Sequence, residues 1–349
     1  MGRFDVITIG TATRDVFVAS KDFHVRRDRH VLGGRALVMP LGAKLEIEKM
    51  IFTTGGGATN AAVTLRRHGL KTAVLTVVGD DTSGRTIREE LQREGINTDF
   101  LIVRRKSYTA YSILLHPKGG ERTILVHRGV SESLDRNDIP ARIAKKTSWL
   151  YITSLAGNIE LLKYLLALAK KNGVRVFYNP GGKEIRERKK LIPLLKHIDI
   201  LTLDREEASL LTGIPYEKQA SMFEVWDRMS PGINIMTDAK NGVWVSDGSS
   251  VYHSGVYKER AVIDRTGAGD AFGSGFVAAL ISRMGRKLGD LSRLIRPHDI
   301  EYAIRFGTAN ATSKIEGIGA KYCLLTRRAF EQNPRWRNLP IIKKRITNG

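Results

Sequence analysis

Short, almost unbroken apolar runs punctuate this chain: FDVITIG (4–10), KTAVLTVVG (71–79), SWLYITS (148–154), VRVFYNP (174–180), IDILTLD (198–204), GINIMTD (232–238) and GVWVSDG (242–248). Their β-branched and aromatic content predicts strands, and their lack of polar alternation predicts strands covered on both faces. Between several of them the apolar positions recur with helical spacing, over 58–69, 82–95, 158–173 and 271–285. Strands alternating with helices predict right-handed crossovers and an α/β fold, a doubly wound, mainly parallel sheet. Ligands in such sheets lie beyond the carboxyl ends of the strands.

Two regions break the alternation, 11–54 and 100–128. The second contains PKGGER, which reads as a hairpin turn between two strands. Both regions lie beside candidate ligand loops, so they are expected to form one small β-sheet lid on a single domain spanning 1–349. The chain closes on a basic extension, about 327–349.

Composition narrows the picture. The 42% hydrophobic and 27% charged content suits a globular protein, and no apolar run approaches the ~20 residues of a membrane span. The first residues, MGRFDVITIG, lack the order of a secretory signal, and Val6 stands where a myristoylation pattern wants Ser or Thr. One cysteine, Cys323, forbids an intrachain disulfide, so the cytoplasm is the expected compartment. A net charge of +21 raises the prospect of a polyanionic partner. The basic residues are nevertheless scattered rather than set with aromatics in a recognisable module, which argues against nucleic acid and for a solvated surface.

Candidate chemistry sits in two glycine-rich loops. TTGGGATN places Gly55, Gly56 and Gly57 just before a helix with Asn60 in its first turn. Glycines permit close backbone approach, and a helix start offers free N–H groups. A tight turn and close packing would explain them equally. In TGAGDAF, residues 266–272, several N–H groups and a helix dipole surround Asp270. Such a pocket stabilises charge on a transferring phosphoryl group, and a carboxylate there suits a base that takes an alcohol proton. Helix capping is the plainer role for Asp270.

The segments GGGATNAAVTLRRHGLKTAVLTVVGDDTSGRTIREEL and DRTGAGDAFGSGFVAAL resemble the two signature regions of the ribokinase-like, or PfkB, carbohydrate kinases. The resemblance runs from VITIGTATRDVF to GIGA at residue 320 and implies a Rossmann-like, ribokinase-like fold. It implies Asp270 as the catalytic base, and Gly267, Ala268 and Gly269 as an anion hole for the γ-phosphate of ATP. Asp15, Gly56, Gly57 and Asn60 would bind acceptor hydroxyls. Asn179 in NPGG, Asp204 in the D-x-x-E of LDREEA, and Thr237 and Gly242 in the loop TDAKNG would serve the nucleotide. Asp204 stands where the family has asparagine, and Ala239 where it has glycine. Glu207 would act on Mg2+, mostly through water, although REEASLL is also an ordinary acidic first helical turn.

The resemblance further implies a K+ site between VIDRT and SKIEGIGA, with Asp264 and backbone carbonyls near Lys314, Gly317 and Gly319 as ligands; the Lys314 ammonium is an alternative occupant. Ribokinases carry a glutamate where this chain has Ser154, which weakens ribose as the acceptor and leaves other sugars and nucleosides open. Arg26, Arg27, Arg29, Arg35, Arg104 and Arg105 would bind a phosphorylated sugar or form a solvated basic lid. The lid edges would allow a homodimer; a non-catalytic binding protein would leave Asp270 without a purpose, and a nucleic-acid binder would leave the two glycine loops without one.

Overall fold

The computed structural model describes residues 3–31, 34–117, 122–285 and 295–346. Its strands are β1 (Phe4–Ile9), β2 (Thr13–Ala19), β3 (His24–Arg27), β4 (Arg35–Val38), β5 (Lys49–Gly55), β6 (Thr72–Gly79), β7 (Asn97–Arg104), β8 (Ala110–His116), β9 (Thr123–His127), β10 (Thr147–Ile152), β11 (Arg175–Tyr178), β12 (Ile200–Asp204), β13 (Ile233–Thr237), β14 (Val243–Ser246), β15 (Ser250–Ser254) and β16 (Ile341–Arg345). The helices are α1 (Gly57–Arg67), α2 (Thr82–Arg93), α3 (Ile159–Asn172), α4 (Gly182–Arg186), α5 (Arg188–Leu195), α6 (Arg205–Thr212), α7 (Gln219–Met229), α8 (Ala268–Met284), α9 (Pro297–Ile315) and α10 (Arg327–Gln332).

The apolar runs enter one large sheet in the order β16-β15-β14-β13-β12-β11-β10-β1-β6-β7. Every pairing from β7 to β13 is parallel. The last three, β13 to β16, are antiparallel. One face is covered by α3, α5, α6 and α7, whose Leu162, Leu195, Leu211 and Trp226 pack with Ile7 and Leu75. The other face receives α1, α8 and α9 through Leu65, Phe276 and Phe306. With helices on both faces, the inner strands have no wet side, which is why their sequences do not alternate.

The small sheet has the order β5-β2-β8-β9. Asp15 and Val16 point to opposite faces of β2. Val16, Val18, Phe23 and Leu115 form a separate small core with Leu37 and Leu45, so the segment containing the β3–β4 ribbon covers the face away from Asp15.

Three expectations change. Residues 97–104 form the edge strand β7 of the large sheet, so the second lid region begins at Ala110 rather than at 100. The basic extension folds back: Trp336 is buried, the Tyr257 hydroxyl donates to its carbonyl at 2.7 Å, and β16 pairs with β15. Helix α9, packed tightly on α8, was not foreseen. The turn at 118–121 lies outside the described residues, within which no helix is long and apolar enough to cross a membrane.

Candidate active site

The β5–α1 turn sets one wall. Gly56 has φ +96, and a side chain there would run into the Thr11 carbonyl and the backbone of Ala12, so only glycine lets the two loops touch. Thr11 Oγ1 accepts the Gly57 N–H at 3.3 Å. A Cβ on Gly55 would land on the Asp15 carboxylate, which is 5% exposed and accepts from Thr13 Oγ1 at 3.0 Å. Burial raises the Asp15 pKa; hydrogen bonds from Thr13 and Ser112 and the Lys321 charge oppose that rise. Lys321 in turn lies 3.1 Å from Glu90 and bonds Thr54.

The opposite wall is the start of α8. Its N-cap, Gly267, has φ +76 and rests on Ala320, where an added Cβ would approach to 2.8 Å. Asp270 is the third residue of the helix and makes no capping bond, so the capping role does not apply. Ala268 N–H turns back to the Arg265 carbonyl at 3.3 Å. Among the described residues no acceptor meets the N–H groups of Gly267, Gly269 or Asp270, and these face outward at the positive end of the helix dipole.

The two helix starts meet across 210 positions of sequence. Asn60 Nδ2 donates to Asp270 Oδ2 at 2.9 Å. Burial pushes the Asp270 carboxyl above its usual range, and the Asn60 amide pulls it back. No donor among the described residues reaches Oδ1. Asn60 is not a helix cap either, since its own N–H goes to the Gly56 carbonyl.

Beside Gly269 opens a cavity of about 270 Å3, lined by Thr237, Ala239, Gly242, Ala268, Phe272 and Thr308. Ala239 holds φ +43, a left-handed conformation that explains why glycine suits this position. Thr308 Oγ1 is buried there without a partner among the described residues. Asn179, Asp204 and Glu207 do not line this cavity. Asn179 Nδ2 donates to the Thr202 carbonyl at 2.9 Å. Asp204 and Glu207 form a reciprocal capping box at the start of α6. Burial pushes Glu207 up to about 7, with the Asp204, Glu184 and Glu206 charges adding to it. Glu184 is fully buried and was missed by sequence reasoning; it takes the Ser154 hydroxyl at 3.1 Å and the Gly181 N–H at 3.0 Å.

Asp264 accepts the Thr266 N–H at 2.9 Å and the Gly319 N–H at 3.0 Å, and Lys314 Nζ lies against it. Several buried polar atoms of the lid and the two turns lack partners among the described residues: Thr53 Oγ1, Asn60 Oδ1, His116 Nε2, Arg122 Nε and Thr266 Oγ1. Arg26, Arg27, Arg29 and Arg35 are exposed in and around the ribbon, Arg104 pairs with Asp138 at 2.6 Å, and Arg105 is exposed.

A family model described as pfkB family carbohydrate kinase matches residues 34–327, most of the chain. The chain belongs to this family. A ribokinase of Haemophilus influenzae is 32% identical over 285 residues, covering 78% of this kinase and 84% of that protein. The solved Arabidopsis thaliana ribokinase, complexed with ribose and ATP, has a TM-score of 0.73 at 20% identity, covering 97% of this kinase and all of that chain. A Sinorhizobium meliloti adenosine kinase scores 0.72 at 21% identity, covering 92% and 96%. The pfkB kinase is thus a phosphotransferase with an alcohol acceptor, of the general sugar or nucleoside type, on a ribokinase-like α/β fold.

Proposed function

We propose that this kinase transfers the γ-phosphoryl group of ATP to a primary hydroxyl of a sugar. The observation that carries the reading is the contact of Asn60 with Asp270 beside unpaired N–H groups and an adjoining cavity. Asp270 Oδ1 takes the proton of the acceptor hydroxyl as its oxygen attacks the γ-phosphorus, and the bond to the bridging oxygen of ADP breaks in line. Charge on the transferring group meets the Gly267, Gly269 and Asp270 N–H groups; Ala268 contributes by closing the turn. The adenosine would lie in the cavity between Thr237, Gly242 and Phe272.

Asp15, Asn60 and the Gly56–Gly57 backbone would bind acceptor hydroxyls. The unpartnered Thr53, Asn60, His116 and Arg122 atoms support a ligand rich in hydrogen-bonding groups, because each left unmet costs ~1–3 kcal/mol. Nucleosides remain the second reading, favoured by the likeness to adenosine kinase. Glu207 is the single carboxylate that would act on Mg2+, since the Asp204, Glu184 and Glu206 charges and burial all disfavour its ionised form until a cation is near. Mg2+ binds through one or two carboxylates plus phosphates and water, and when bound it would neutralise the phosphate oxygens. ATP use favours a cytoplasmic setting, and the exposed Met50, Phe52, Ile124 and Leu125 at the lid edges favour pairing of two copies there.

The test is ADP formation with Mg2+ and ATP across ribose, fructose, phosphofructose, ketodeoxygluconate, adenosine, cytidine and inosine. One acceptor well above the water background identifies the substrate. A flat panel with ATP still bound rejects these acceptors, and a chain that binds no ATP rejects the kinase reading.

A further inference from the structure

Beneath the start of α8 a cation is already built into the chain. Lys314, in the last turn of α9, and Asp264, in the loop leading to Gly267, both have side chains wholly shielded from solvent. Lys314 Nζ donates to the Asp264 carbonyl at 2.6 Å and to its Oδ2 at 3.1 Å. Oδ2 also accepts the Gly319 N–H at 3.0 Å, and Oδ1 the Thr266 N–H at 2.9 Å. Ile263 N–H returns to the Ile315 carbonyl at 2.8 Å. One ammonium therefore ties the turn 313–320 to the loop that delivers Thr266 and Gly267 to the anion pocket, and Gly267 itself leans on Ala320 of the same turn.

Neither charge is tolerable there alone, since a buried ion must be paired and hydrogen-bonded. Burial lowers the Lys314 pKa and the Asp264 charge raises it. Burial pushes Asp264 up, but the ammonium and the two N–H donors outweigh it and hold the carboxyl below its usual value. The carboxylate is thereby balanced from within the chain. A potassium ion does not fit the residues present: the Asp264 oxygens that would ligate it are within hydrogen-bonding distance of Nζ.

We propose that Lys314 is a positioning residue, a tethered replacement for a monovalent cation, which holds the 264–267 loop in place and makes turnover independent of potassium. The effect on turnover rests on the kinase reading; cation binding does not. The full chain is compared with Lys314→Ala and Lys314→Met in potassium, sodium, ammonium and choline chlorides at equal ionic strength. Turnover and thermal midpoint are both followed.

The unmodified chain should hold turnover within about two-fold and its midpoint constant across the salts. Lys314→Ala leaves an oxygen-lined space; in choline it should lose about 10- to 100-fold in kcat with acceptor KM little changed. Potassium or ammonium should restore part of that loss and raise its midpoint. Lys314→Met, which fills the space without charge, should lose as much and regain nothing. Potassium activation of the unmodified chain by several-fold overturns the proposal, as does a Lys314→Ala chain that is fully active in choline or blind to the cations. If both variants fail to fold, the salt series on the unmodified chain decides. If no acceptor is phosphorylated in any salt, those acceptors are rejected while the midpoints still test the site.

Discussion

Replacing Asp270 by Asn isolates the base. Asn60 Nδ2 occupies Asp270 Oδ2 at 2.9 Å, which leaves Oδ1 as the oxygen facing the acceptor. In Asp270→Asn the new side chain keeps its oxygen toward Asn60 and turns its amide NH2 to the acceptor, so a donor stands where a proton must be received. Shape and the Asn60 contact survive; proton removal does not. A positioned general base is worth about 100- to 10,000-fold in rate, or ~3–5 kcal/mol of barrier. Stability should move the other way. Burial raises the Asp270 pKa in the folded chain, so the folded state favours the protonated carboxyl and loses stability as pH rises through that pKa. At neutral pH the substitution removes a desolvated charge, and the thermal midpoint should hold or rise. The assay pairs ADP formation at saturating acceptor with binding of a non-hydrolysable ATP analogue and a melt. A folded, nucleotide-binding Asp270→Asn chain with near-normal turnover would refute the assignment of the base.

Other expectations follow from the same contacts. Asn60→Leu removes the amide that opposes desolvation of Asp270, so the acid limb of the pH–rate profile should move to higher pH while the plateau changes less; an unmoved limb would break the link between the two residues. For Glu207, burial and neighbouring carboxylates place the folded pKa at about 7, so stability without metal should fall as pH rises through that value. Glu207→Gln should flatten this fall and raise the Mg2+ concentration for half-maximal rate about ten-fold. Unchanged melts and Mg2+ dependence would remove Glu207 from the metal's surroundings.

What the sequence disclosed was local. Continuous apolar runs marked the inner strands because burial on both faces erases alternation, and the glycine loops announced themselves by composition. The capping box of Asp204 and Glu207 was legible as an acidic first turn. Partnerships between distant segments were not: nothing in the sequence pairs Lys321 with Glu90 or seats Ser154 on Glu184, because the sheet brings them together. Helix α9 escaped because Thr308, Asn310, Thr312, Ser313 and Lys314, all buried, interrupt the apolar face of its second half. β15 and β16 escaped because SVYHS and IIKKR are short and half polar. The departure at Ala239 was visible, but its left-handed φ was not.

Strand β16 carries a consequence for how the chain is made. The first strand lies in the interior of the large sheet and β16 at its rim, so the rim is closed only after residues 341–345 have been made. Until then β15 offers unpaired backbone groups to any neighbouring chain. The strand that finally covers it exposes Lys343, Lys344 and Arg345, a row of like charges that repels a second copy approaching edge to edge. Part of the large positive charge thus acts as a guard against misassembly, and shortening the chain by these few residues would cost solubility before it cost chemistry.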